Sequence, residues 1–355
     1  MDKSSAPVRR IGVIGVCLAL AIALRSPIGA SAGTLLSTPT PTFTPTETTG
    51  PATTPASTAT TGPATTPTLI RTVAPATTPT LTGTVAPATT PAAHPTGVSY
   101  YGGPVLGAPT TYVVFWLPRG HTFEPGQGGG DARYERLITR YFRDIGGTPY
   151  YGILAEYSDD PAHHAPVTGG PIRNRSPFGG AYVDTTPYPW ERGQRGAVDT
   201  DSVVANVVRA AGWRLAARNI VVVFTAAGVQ RSAACAFHDF YTHGARTVVY
   251  AFVKDVWSLA GCRAGLRASG VARGPNSDIY ADTAISAAAH EQFESVTDPL
   301  GASWHTTGAN YAEIVDLCPT PGPLAPDGHN VTLHGRLYLV QEVWSNAAGR
   351  CVLSA

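Results

Sequence analysis

The chain has 355 residues with 25 basic and 24 acidic side chains. The resulting net charge of +1 excludes nucleic acid or an anionic membrane surface as a partner recruited by bulk charge. Thr, Pro and Ala dominate up to about residue 97, and nearly all the acidic and aromatic residues follow, leaving about 258 residues for one large domain with a substantial core.

Arg9 and Arg10 precede an apolar run over 11–24, and Ala30-Ser31-Ala32 supplies small residues for cleavage before Gly33. This pattern predicts a signal peptide over 1–32. The run is shorter than the roughly 20 residues a bilayer span needs, so no membrane insertion is expected after cleavage. A lipidated Cys17 is excluded by the bulk of Val16 before it. Between 33 and 97 the segment Pro51-Ala52-Thr53-Thr54-Pro55 returns at Pro63, Pro75 and Pro87, a twelve-residue repeat in four copies. It has no apolar face to bury, and frequent Pro denies it helix and ladder hydrogen bonds. The expectation is a disordered, extended Thr/Pro-rich stalk suited to O-glycosylation.

The folded part is expected over 98–355. The run at 111–117 (TYVVFWL) reads as a buried strand. Asp131 then caps a helix carrying Tyr134, Leu137, Tyr141 and Phe142, stopped at Gly146-Gly147. A strand is expected over 151–157, and a helix over 203–214 capped by Asp199 or Asp201. The runs 219–225 (NIVVVFT) and 247–253 (TVVYAFV) predict two central strands. Residues 283–297 contain no Gly or Pro and end at Asp298-Pro299, which predicts a helix of about four turns. Alternating strands and helices imply a single layered α/β domain with a central sheet. Removal of the signal takes Cys17 and leaves Cys235, Cys262, Cys318 and Cys351. Pairing in sequence order, Cys235–Cys262 and Cys318–Cys351, closes two loops of about 30 residues each. A zinc site of four thiolates is the weaker alternative, since no C-x-x-C pair is present.

The last helix carries the chemistry. His290, Glu291, Glu294 and Asp298 fall within about 100° of its circumference, and Ile285, Ala289, Phe293 and Val296 lie on the other side. His290-Glu291-Gln292-Phe293-Glu294 has the spacing of the zinc-binding H-E-x-x-H helix, with Glu in place of the second His. In that geometry the first and last residues, His290 and Glu294, hold the metal, and Glu291 is the general base for an activated water. A carboxylate in the last position makes the site harder, so Zn is expected while Mn or Ca is admitted. The third ligand is expected downstream, from Glu313 or Asp316, with Asp298 as a nearer candidate. The alternative is a solvated acidic helix face. His163-His164, His238 and His305 are weaker candidates, the default for His238 being a packing role near a disulfide.

These residues carry a resemblance. Tyr101-Gly102-Gly103-Pro104-Val105-Leu106, Cys235-Ala236-Phe237-His238, the His290-Glu291-x-x-Glu294 helix and Glu313-Ile314-x-Asp316-Leu317-Cys318 occur in order. Gly335-Arg336-x-Tyr338-Leu339-Val340-Gln341, Trp344 and Cys351 complete the series. The chain from about Ser99 onward resembles the EXORDIUM / phosphate-induced protein 1 family of secreted proteins, including its bacterial members. The resemblance implies an apoplastic or cell-wall setting and no agreed enzyme activity. The combined expectation is a secreted or cell-surface protein with a zincin-like metal site, acting as a metal-dependent, peptidase-like hydrolase. The alternative is a non-catalytic extracellular module that binds cell-wall polymer or a protein partner.

Overall fold

The computed structural model describes residues 97–125, 130–159, 171–192, 198–227, 234–243, 246–307 and 311–355. The signal, almost all of the stalk and His163-His164 lie outside these residues. In chain order the strands and helices are β1 (Ser99–Tyr100), β2 (Thr110–Trp116), α1 (Asp131–Asp144), α2 (Pro149–Gly152), β3 (Phe178–Asp184), α3 (Thr200–Ala210), β4 (Asn219–Thr225), β5 (Ala236–His243), β6 (Arg246–Val253), α4 (Ala260–Ala268), α5 (Ile279–Thr297), β7 (Trp304–His305), β8 (Val331–Leu333), β9 (Arg336–Tyr338), β10 (Val343–Ser345) and β11 (Arg350–Val352).

A five-stranded mixed sheet in the order β3-β2-β4-β6-β5 forms the centre. Its first three pairings are parallel and the last, β6 with β5, is antiparallel. Every residue of β4 is buried, as expected for a β-branched run covered on both faces. Strand β2 shows the two faces: Phe115 packs edge-on against Tyr134 of α1, while Tyr112 meets Trp213 and Trp116 meets Tyr188 on the opposite side. Helix α5 lies over β4, β5 and β6, and α1 lies beside it over β2 and β3. Three small antiparallel ribbons, β1-β7, β8-β9 and β10-β11, complete the structure.

Both disulfides form in the expected order, Cys235–Cys262 and Cys318–Cys351. They suit an oxidising, extracellular setting. No helix among the described residues is long and apolar enough to cross a membrane.

Local structure corrects several expectations. Residues 151–157 are helical rather than a strand, because Thr148 caps the Tyr151 N–H at 3.2 Å and Pro149 supplies a preset first turn. A 3-10 turn over Ile153–Tyr157 continues it. Asp131 is not a cap: it occupies the first turn of α1 and accepts from Thr122 Oγ1 and Phe123 N. Helix α3 stops short of 214 because Gly212 turns the chain at φ +66°. Strands β3 and β5 and helix α4 are additions. Strand β3 hides behind its Gly-Gly: a Cβ at Gly179 would sit 2.5 Å from the Tyr112 ring.

Helix α5 begins four residues earlier than expected, with Asp278 capping the Ala281 N–H at 2.9 Å. Asp282 therefore falls inside the helix, buried, accepting from Asn276 N at 3.0 Å and Asn276 Nδ2 at 2.6 Å. Burial raises its pKa from 3.8 to about 6, against the opposing pull of the Asn276 donors. The folded chain thus favours the protonated carboxyl, and that stability is complete below about pH 4 and lost as pH rises through about 6. Relative to Asp282→Asn, wild-type stability should fall by about 3 kcal/mol between pH 4 and pH 7 in urea unfolding. A pH-independent difference would show that Asp282 stays ionised.

Candidate metal centre

Nearly the whole circumference of α5 is buried, its acidic side included. The acidic face is covered by β5 on one side and by the loop after Tyr311 on the other, which removes the alternative of a solvated face. Asp298 anchors that loop. Its Oδ1 accepts from Ala302 N and Ser303 N at 2.6 and 2.7 Å, and its Oδ2 accepts from Tyr311 OH at 2.7 Å. Asp298 is thereby committed to the turn after the helix.

His290, Glu291, Glu294, Glu313 and Asp316 come together, and His238 of β5 joins them. Alternation along β5 turns Ala236 and His238 inward, while Phe237 stacks on Phe252 across the other face. The His238 ring is wedged among carboxylates: Nδ1 lies 3.4 Å from Glu291 Oε2 and 4.0 Å from Glu294 Oε2, and Nε2 lies 3.7 Å from Glu313 Oε1. On the other side, His290 Nε2 is 3.0 Å from Glu294 Oε2 and 3.4 Å from Asp316 Oδ1. The two downstream candidates are thus sorted in space, Asp316 beside His290 and Glu313 beside His238.

Hydrogen bonds from outside the cluster fix its members. Glu294 Oε1 accepts from Val315 N at 3.2 Å and Asp316 N at 3.1 Å, which leaves Oε2 for the imidazoles. Gln341 donates through Nε2 to Cys318 O at 2.7 Å, and its Oε1 lies 3.0 Å from His290 Nδ1. Gln341, named above only in the resemblance and with no role attached, stands 51 residues from His290, and the fold brings the two together. His238, a weaker candidate with packing as its default role, belongs to the cluster because it shares the inward face of β5 with Ala236 two residues before it. His305 stays outside the cluster, its ring stacked on Tyr101 and its Nδ1 near Thr306 O.

Like charges at this spacing resist simultaneous ionisation. Burial lifts the Glu294 pKa to about 7, with Asp316 and Glu291 adding to the effect and His290 opposing it. Burial, reinforced by Glu294, Asp298 and Asp316, drives Glu313 well above the usual carboxylate range despite His238. Burial alone would depress both imidazoles, but the carboxylates outweigh it. Glu313, Glu291 and Glu294 raise His238, and Glu294, Glu291 and Asp316 raise His290. Asp316 is held low, burial being outweighed by its contact with His290.

Among the described residues, donor atoms of His238, Glu294 and Glu313 lie within 4.8 Å of one another, as do those of His290, Glu291 and Glu294. Either set could hold a metal ion. The chain matches no family model, no curated protein and no solved structure. The chemistry of the site therefore rests on its own geometry.

Glu313 is the most exacting member. It is 2% exposed, and its Oε1 has no hydrogen-bond partner. A buried carboxylate oxygen without a donor is costly to the metal-free fold. Burial also forces this carboxyl to take up a proton as the metal-free chain folds near neutral pH, so Glu313→Gln should raise the thermal unfolding midpoint of the chelator-treated chain. A lower midpoint would mean that the contact with His238 outweighs the burial cost.

Proposed function

We propose that the cluster is a divalent-metal site and that the chain is an exported, zincin-like metal-dependent hydrolase of the EXORDIUM / phosphate-induced protein 1 type. The observation that carries this reading is the orientation of His290. Because Gln341 Nε2 is committed to Cys318 O, its Oε1 is the acceptor for the His290 Nδ1 proton. Nε2 then turns toward Glu294 Oε2 and Asp316 Oδ1, an arrangement of one imidazole and two carboxylates suited to Zn or Mn. Asp316 is the third donor in this reading. The helix and loop residues named in the family resemblance, His290, Glu291, Glu294, Glu313 and Asp316, lie together in this cluster.

A bound ion would supply Lewis acidity toward a scissile carbonyl. Glu291, adjacent to His290, is the general base. Its carboxylate takes a proton as a water oxygen bonds to the carbonyl carbon. It returns that proton to the leaving nitrogen or oxygen as the acyl bond breaks. The products are an acid and an amine or alcohol, with no further reactant.

Burial favours a second reading. The most accessible donor, Asp316, has a side chain only 17% exposed, and closed sites are typical of structural metals. In that reading the ion braces a module that binds cell-wall polymer or an extracellular protein.

Elemental analysis of the purified chain should find bound Zn or Mn, lost in the His290→Ala/Glu294→Ala variant. Gln341→Ala should weaken Zn binding about 10- to 100-fold by freeing the His290 ring. Glu291→Gln should keep the metal and lower hydrolysis of a peptide and ester panel by about 10²- to 10⁴-fold. Metal retained with no hydrolysis by wild type would select the structural module, and no metal under ample supply would remove both readings.

A further inference from the structure

The donors around His290 leave His238 and Glu313 unused. These two residues stand on the far side of Glu294, on a different strand and loop position. Each compact donor set contains one imidazole, and Glu294 is common to both. The shared atom is identifiable: Glu294 Oε1 is taken by the Val315 and Asp316 N–H groups, while Oε2 is 3.0 Å from His290 Nε2 and 4.0 Å from His238 Nδ1.

Glu313 provides an independent observation, since its buried Oε1 points into the cluster with no hydrogen-bond donor, 3.7 Å from His238 Nε2.

We propose that a second divalent ion sits beside the first, held by His238, Glu313 and the shared Glu294, so that the centre is dinuclear with Glu294 as the bridging carboxylate. The proposal rests on the metal-site reading above and adds the second ion to it. Paired ions of this kind lie about 3.5–4 Å apart and act on the attacking and leaving atoms together. His238 then has a ligand's role rather than a packing role: Nδ1 faces Glu294 Oε2, and Nε2, 3.3 Å from the Asp298 carbonyl oxygen, holds the ring in place.

The test is a titration of the demetallated full chain with Mn²⁺ alone, read by calorimetry, by elemental analysis after desalting and by electron paramagnetic resonance. Wild type should bind two Mn²⁺ per chain and give an exchange-coupled spectrum. His238→Ala and Glu313→Gln, checked for folding by circular dichroism, should each bind one and give the spectrum of an isolated ion. One Mn²⁺ in wild type would overturn the second ion and leave the single-metal reading standing. None would overturn both. Two uncoupled ions, unchanged in number in the variants, would place the second ion elsewhere and overturn the assignment. The wild-type count and coupling decide the matter even if a variant does not fold.

Discussion

The burial of ionisable groups on helix α5 is the constraint around which the domain is arranged. A helix can be covered on all sides only if its charged side chains find partners, because a bare buried charge costs several kcal/mol. Here Gln292 reaches Thr111 and Ser176, Asp282 reaches Asn276, and His290 reaches Gln341. The carboxylates are met by His238, by His290 and by backbone N–H groups at 315 and 316. What remains is a pocket of four carboxylates and two imidazoles enclosed by the fold itself.

The surrounding structure holds that pocket rigid. The sheet supplies His238 from its antiparallel edge strand, and α5 supplies three groups at fixed helical spacing. The Cys318–Cys351 bridge ties the segment bearing Glu313 and Asp316 to β11, and Cys235–Cys262 secures the start of β5 against α4. Trp344 N donates to Ile314 O, adding a second tether between the same loop and the final ribbon. Each donor-bearing segment is thus fastened close to its donors, as a preorganised site requires.

The legible parts of the fold were those encoded locally. Strands β2, β4 and β6 are β-branched runs buried in the sheet, and α5 is a long stretch without breakers, so periodicity and composition suffice for them. Strand β5 was not legible, since AFHDFYTH mixes polar and aromatic residues on both faces and lacks an apolar run. The aromatic stretch near Tyr151 suggested a strand, yet the Thr148-Pro149 cap governs it. At the site, helical spacing was enough to group His290, Glu291 and Glu294. It could not distinguish a solvated face from an enclosed one, because the covering comes from residues 20 to 50 positions away. Glu313 and Asp316 entered as interchangeable candidates for the same reason. Gln341 entered only through the resemblance, with no role attached.

The terminal ribbons bear on the order in which the molecule is completed. Asn346 bonds Val98 through both backbone groups, joining the domain's first strand region to its last. Gln341 and Cys351 belong to that same closing segment. A chain emerging from its N-terminus can therefore lay down the sheet and α5 well before the ring of His290 acquires its fixed tautomer or the loop at 318 is stapled. The groups that fix the ring of His290 and staple the loop at 318 are thus supplied by the last-made segment of the described domain.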